Sequence, residues 1–162
     1  MPDCVRALQR AEPIVVRNPS ATRPWQHVLE PLSGYLWLGA QLNRGAAAGE
    51  EWAAFNFGPD PASSQPVARL VEEVLRHWPG RTQVQSDPQA PHEAALLSLD
   101  IGRAARVLAW HPVWEFADTL GHTIDWYRRV CADPAAAPGL TRRQISDYET
   151  AARARKLKWA HE

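Results

Sequence analysis

The chain has 162 residues, 45% of them hydrophobic, and its 18 Lys and Arg balance 18 Asp and Glu. That length supports one domain with a real core. A net charge of zero gives no bulk electrostatic reason to expect nucleic acid or a membrane surface as a partner.

Cys4 and Cys131 are too far apart in sequence for a CxxC motif. That argues against a disulfide framework or a zinc site and fits a reducing, cytoplasmic setting. No apolar run reaches membrane-spanning length. Met1 to Arg6 has no apolar signal core, so export is not indicated.

Cys4, Val5 and Leu8 fall at helical spacing and predict a short first helix, which Pro13 ends. The β-branched run Ile14-Val15-Val16 predicts a strand. From Glu30 or Pro31 a second helix is expected, proline being tolerated in a first turn. Its apolar face carries Leu32, Tyr35, Leu36, Gly39 and Leu42, and it ends in Asn43-Arg44-Gly45.

Trp52 to Phe57 reads as a strand with Phe55 and Phe57 on one face, followed by the turn cluster Gly58-Pro59-Asp60-Pro61. Val67, Leu70, Val71, Val74, Leu75 and Trp78 keep the i, i+3, i+4, i+7 pattern of a helix over about 66–78. Pro79-Gly80 stops it, and Thr82 to Gln85 reads as a third strand. Ser86 to Glu93 is a polar, proline-bearing loop, and Leu96 to Leu99 a short extended piece.

Asp100 is placed to cap a helix carrying Ile101, Ala104, Ala105 and Leu108, which His111-Pro112 ends. A further helix is expected from about Trp114 to Val130, with Phe116, Leu120, Ile124, Tyr127 and Cys131 on its apolar side. Residues 133–140 read as an Ala/Pro linker. Thr141 with Gln144 forms a capping box for a last helix carrying Ile145, Tyr148 and Ala152. The basic tail Arg153 to Lys158 suits a helix C-terminus. Helices mixed with short strands give an α/β class in one unit over 1–162, without internal repeats. Of the eight tryptophans, Trp52, Trp78, Trp110 and Trp126 are expected in the core.

The stretch between the first strand and the second helix concentrates binding chemistry. It holds Arg17, Asn18, Arg23, Trp25, Gln26, His27 and Glu30, with Pro19 and Pro24 stiffening the connection. A loop between rigid elements is a natural binding platform. Arginine suits forked recognition of phosphate, and an indole face offers an apolar or cation–π surface. Asn18 serves either as a turn former before Pro19 or as a contact to a ligand. Glu30 serves either to orient Arg23 or to cap the following helix, the second being the reading adopted.

Catalytic signals are weaker. The histidines show no HxxxH or HExxH spacing, so no metal site is expected, and no G-x-S-x-G occurs. His92-Glu93 has the types for an acid/base pair but no nucleophile or metal beside it. No glycine-rich dinucleotide motif is present. Tyr35, Tyr127 and Tyr148 are followed four residues on by Gly39, Cys131 and Ala152, so there is no Tyr-x-x-x-Lys pair.

The stretch Arg17 to Leu36, with Trp52 to Pro59 and Leu99 through Leu108-Ala109-Trp110-His111-Pro112 to Trp126-Tyr127, closely resembles CDP-glucose 4,6-dehydratases. These are NAD-dependent lyases of the extended short-chain dehydrogenase/reductase family. The wider family has an Arg-Asp-aromatic-x-x-Val-x-Asp segment where this chain reads Arg23-Pro24-Trp25-Gln26-His27-Val28-Leu29-Glu30.

The resemblance implies the C-terminal, substrate-binding part of a Rossmann-type nucleotide-sugar dehydratase acting in deoxysugar biosynthesis. It implies a CDP-sugar ligand, with NAD held by a half that this chain lacks and no catalytic residue here. It implies that Arg23 meets the diphosphate, that Arg17 and Asn18 lie near base and ribose, and that Trp25, His92 and Glu93 also line the substrate site. Relatives often place another phosphate-binding arginine in the loop around Asp87 to Pro91, and here there is none. Two further readings for the chain itself are a nucleotide-sugar module completed by a separate Rossmann-half polypeptide and a helical interaction domain that has lost its ligand. The resemblance leaves a homo-oligomer open.

Overall fold

A computed structural model describes residues 1–45, 54–85 and 96–161. In chain order it contains α1 (Pro2–Gln9), β1 (Ile14–Val16), β2 (Thr22–Pro24), α2 (Leu29–Asn43), β3 (Ser64–Pro66), α3 (Val67–His77) and β4 (Thr82–Val84). There follow α4 (Gly102–Leu108), α5 (Phe116–Ala132) and α6 (Ala137–Ala154). The strands form two small pairs. β1 and β4 run parallel, with Ile14 opposite Thr82 and Val16 opposite Val84. β2 and β3 run antiparallel, with Arg23 opposite Gln65.

The main core lies between α1, β1, α3 and α5. Cys4, Val5 and Leu8 meet Ile14 and Val16, then Leu70, Val71 and Val74, then Leu120 and Ile124. Ile14, Leu70, Val74, Leu120 and Ile124 are each 2% exposed or less, and burying such a side chain contributes about 1.5–3 kcal/mol. The strand alternates as its period requires, with Ile14 and Val16 inside and Val15 outside.

A second cluster joins Trp37, Phe57, Ala104, Leu108 and Trp110. Trp37 donates its indole N–H to the carbonyl of Leu108 at 2.7 Å. Gly34 is required here: a Cβ on it would stand 2.2 Å from the Phe57 ring, so α2 approaches that ring only without a side chain. A third cluster packs Val113 and Trp114 on Tyr148, Ala152 and Leu157.

The helices over 2–9, 29–43, 67–77, 102–108 and 116–132 match their expected positions, as do the strands at Ile14 and Thr82. Asp100 accepts from the Gly102 amide at 2.7 Å, one residue outside the helix it was expected to cap.

Five expectations are corrected. The described part of the 52–57 segment, residues 54–57, is not a strand. Its ordering comes instead from aromatic packing of Phe55 and Phe57 on the second cluster. The face of α2 with Leu32, Tyr35, Leu36 and Leu42 is exposed. The buried side is Glu30, Ser33, Gly34 and Trp37. Residues 134–136 form a 3-10 turn capped by Asp133, and α6 already begins at Ala137, so helical structure runs through the expected linker. Thr141 and Gln144 therefore sit inside α6 and bond outward, Thr141 Oγ1 accepting from the Trp126 indole and Gln144 donating to the His122 carbonyl. Finally, Glu30 neither caps a helix nor touches Arg23; its partners are described below.

Among the expected core tryptophans, Trp110 is fully enclosed, Trp78 packs partly buried on the main core, and Trp126 is half-buried. Trp52 lies outside the described residues.

Candidate functional site

Arg17 follows directly on β1, whose buried ends pin it to the core. The chain then turns at Asn18-Pro19. Asn18 serves the turn: its side-chain oxygen accepts from Ser20 at 3.1 Å and its carbonyl accepts from the Ala21 amide. The loop is anchored to α3, because the carbonyls of Ala21 and Pro19 accept from the amides of Val67 and Ala68 at 2.9 Å each. Those are first-turn amides that lack a partner within the helix.

Arg23 is held by the β2–β3 pairing opposite Gln65, and its guanidinium donates to the Thr22 carbonyl at 2.9 Å. Trp25 crosses to β3, its indole N–H donating to the Gln65 carbonyl at 2.8 Å, while its ring packs on the main core. So Trp25 both braces the loop and lines the site.

These residues share one open cleft of about 530 Å³. Arg17, Asn18, Arg23 and Trp25 line one side. α1 supplies Asp3, Arg6 and Ala7 and its C-cap supplies Arg10, while Pro13, Val15 and Val67 add apolar surface. The charge lining the cleft is four arginines against Asp3 and Glu12. Arg6 is paired with Asp3 at 3.3 Å. Among the described residues, the side chains of Arg10 and Arg17 have no hydrogen bond or ion pair.

The combination of fixed cations with an adjacent apolar strip suits an anionic ligand that carries a flat or apolar group. Arg6 and Arg10 were missed in the sequence. Their signal is the i, i+4 spacing on the side of α1 opposite Cys4, Val5 and Leu8. His92 and Glu93 lie outside the described residues.

A second polar centre sits behind α2. Glu30 is 1% exposed. Its carboxylate accepts from the amides of Val113 and Trp114 at 2.9 and 2.8 Å and from the Tyr148 hydroxyl at 2.7 Å. Burial pushes the Glu30 carboxyl up, and these bonds with the Arg155 charge pull against it. Burial and the Glu30 charge push the Tyr148 phenol up. Trp110 donates to Ser33 Oγ at 3.0 Å, and Ser33 lies 3.1 Å from the Tyr148 hydroxyl. All of these partners are protein groups, so the centre reads as structural glue.

His27 lies nearby, edge-on to Trp114, which in turn stacks on His122 at 3.9 Å. Burial and then the neighbouring His122 lower the His27 pKa to about 4, so the ring is neutral and its Nδ1 accepts from the Leu29 amide at 3.3 Å.

No group of His, Cys, Asp or Glu among the described residues could hold a metal ion. Nor do the described residues fit NAD. The parallel pair β1–β4 is three residues per strand, and β1 leads into Arg17-Asn18-Pro19 rather than into a glycine-rich turn and helix. Among the described residues, no helix is long and apolar enough to cross a membrane.

No protein-family model matches the chain. It is 35% identical, over an alignment of 161 positions that covers 93% of this chain, to a CDP-glucose 4,6-dehydratase of Salmonella typhimurium. Among solved structures it is similar to the PbgP3 protein from Burkholderia pseudomallei, with a TM-score of 0.58 over 85% of this chain at 19% identity. That likeness concerns the fold. The chain spans 42% of the first protein and 40% of the second. The resemblance to CDP-glucose 4,6-dehydratases thus holds across nearly the whole chain, and the α/β class stands with it.

Proposed function

We propose that this chain is the substrate-binding C-terminal part of a CDP-glucose 4,6-dehydratase and that the cleft between α1 and the Arg17–Trp25 loop receives the CDP moiety. The reading rests on Arg17, just after β1, and Arg23, within β2, lining one cleft together with Val15 and Trp25. Arg23 takes the diphosphate, and Arg17 and Asn18 lie toward ribose and base. His92 and Glu93 complete the substrate side in this reading.

The NAD-dependent conversion of CDP-glucose to a 4-keto-6-deoxy product needs the dinucleotide site and the Tyr/Lys pair. The 162-residue sequence contains neither, so the chain by itself binds and does not turn over. Calorimetric titration with CDP tests the reading. Saturable binding is expected, with Arg23→Ala reducing affinity at least tenfold, since a charge-assisted hydrogen bond is worth about 1.5–3 kcal/mol. Absence of heat at millimolar CDP overturns it.

A second reading, a module that completes its site with a separately encoded Rossmann half, is favoured by the α2 surface. Val28 is 63%, Tyr35 60% and Leu36 76% exposed, a row of large apolar groups of the kind that marks an interaction face. The two readings share the same ligand and differ in how the other half is supplied.

A further inference from the structure

We propose that Arg10, the residue that caps the C-terminus of α1, supplies the contact to the second phosphoryl group of a nucleoside diphosphate in this cleft. The proposal rests on the nucleotide reading of the cleft and assigns within it a residue from outside the Arg17–Trp25 loop.

A sugar nucleotide presents two adjacent phosphoryl groups, each carrying one negative charge. One arginine fork satisfies one such group. Arg23 is committed in part to the Thr22 carbonyl, and Arg17 leaves β1 toward the Asn18 turn. A cation beyond the loop arginines strengthens that contact, and between Arg81 and Arg103 the sequence offers no lysine or arginine.

α1 and its C-cap supply two candidates to the same cleft, Arg6 and Arg10, with Ala7 between them. Their i, i+4 spacing places both on one side of the helix, opposite the buried Cys4, Val5 and Leu8. Arg6 already has an ion-pair partner, Asp3 at 3.3 Å. Arg10 has no side-chain partner among the described residues, and it stands four residues before β1, whose far end leads to Arg17. The short connection through Pro13 fixes α1 against the strand, with the Ile14 amide bonded to the Arg81 carbonyl at 2.8 Å. Arg10 is therefore a cation at the end of a packed helix, lining the same cleft as the loop arginines, Val15 and Pro13.

The test compares ligands that differ by one phosphoryl group. The full chain, Arg10→Gln and Arg23→Ala are titrated with CDP and with CMP. Because Arg10 is exposed, its substitution leaves the fold intact, which a thermal melt checks. The expected result for Arg10→Gln is a loss of about tenfold in CDP affinity, with CMP affinity unchanged within about twofold. Equal losses for CDP and CMP overturn the assignment to the second phosphoryl group. Unchanged CDP affinity in Arg10→Gln, with Arg23→Ala impaired, overturns the role of Arg10 and leaves the nucleotide reading standing. Failure of the wild-type chain to bind CDP overturns both.

Discussion

The Tyr148 hydroxyl donates to Glu30 Oε2 at 2.7 Å, tying the first turn of α2 to α6 across 118 positions of sequence. The same carboxylate holds the amides of Val113 and Trp114, so one buried acid joins α2, the 113–114 strip and α6. Removing the hydroxyl alone costs one charge-assisted bond. Tyr148→Phe is expected to lower unfolding free energy by about 1.5–3 kcal/mol in urea titration. Glu30→Ala strands two backbone donors as well and is expected to cost about 3–5 kcal/mol. Equal stability of both variants and wild type would show that the three bonds do not hold the helices together.

His27 makes stability depend on pH. Its pKa is lowered to about 4 by burial and by His122, against an ordinary value near 6.5. The unfolded chain therefore binds the proton more tightly than the folded one between those values. The stability is fully present above pH 6.5 and is lost as pH falls toward 4, by up to about 3 kcal/mol. Glu30 acts in the opposite direction: its raised pKa means stability is lost as pH rises above its unfolded value. His27→Phe separates the two. It keeps a ring against Trp114 and is expected to flatten the fall below pH 6.5, as read from denaturant midpoints across pH 4–7.5. An unchanged pH profile would remove His27 from the account.

The exposed row on α2 has a consequence for the isolated chain. Leu32 at 44%, Tyr35 at 60% and Leu36 at 76% exposure form an apolar face that water does not favour. Self-association that grows with concentration is expected in light scattering. Leu36→Lys is expected to reduce it while the circular dichroism spectrum stays the same. A wild-type chain that remains monomeric at high concentration would contradict the interaction-face reading.

Much of this organisation was legible in the sequence, and the exceptions have physical causes. α3 was readable because its six apolar positions face a single core. α2 misled for the opposite reason: its most regular apolar row points outward, while the core accepts Ser33, Gly34 and Trp37. Those choices are dictated by partners far away in sequence, the Phe57 ring over Gly34 and the Trp110 indole on Ser33.

β2 and β3 were not legible because each is three residues long and ends in proline, which local propensity disfavours. Their pairing sets Arg23 opposite Gln65, whose carbonyl accepts from the Trp25 indole. The Thr141–Gln144 box had the right spacing and the wrong place, since Asp133 and Pro134 start the helical structure earlier. At the candidate site, Arg17, Asn18, Arg23 and Trp25 were recognisable because they lie within nine positions of one another and are chemically unusual. Arg6 and Arg10 were hidden because only the packing of α1 beside β1 brings them to the cleft.

The most direct measurement is an NMR titration of the isotopically labelled chain with CDP, following the tryptophan indole N–H signals. Trp25 lines the cleft while Trp110 is fully enclosed, so the two report on different places. The account requires saturable movement of the Trp25 indole together with the amides of Arg17, Asn18 and Arg23, the Trp110 signal staying still. No movement at millimolar CDP, or movement centred on the Glu30–Tyr148 network with Trp25 unmoved, would contradict it.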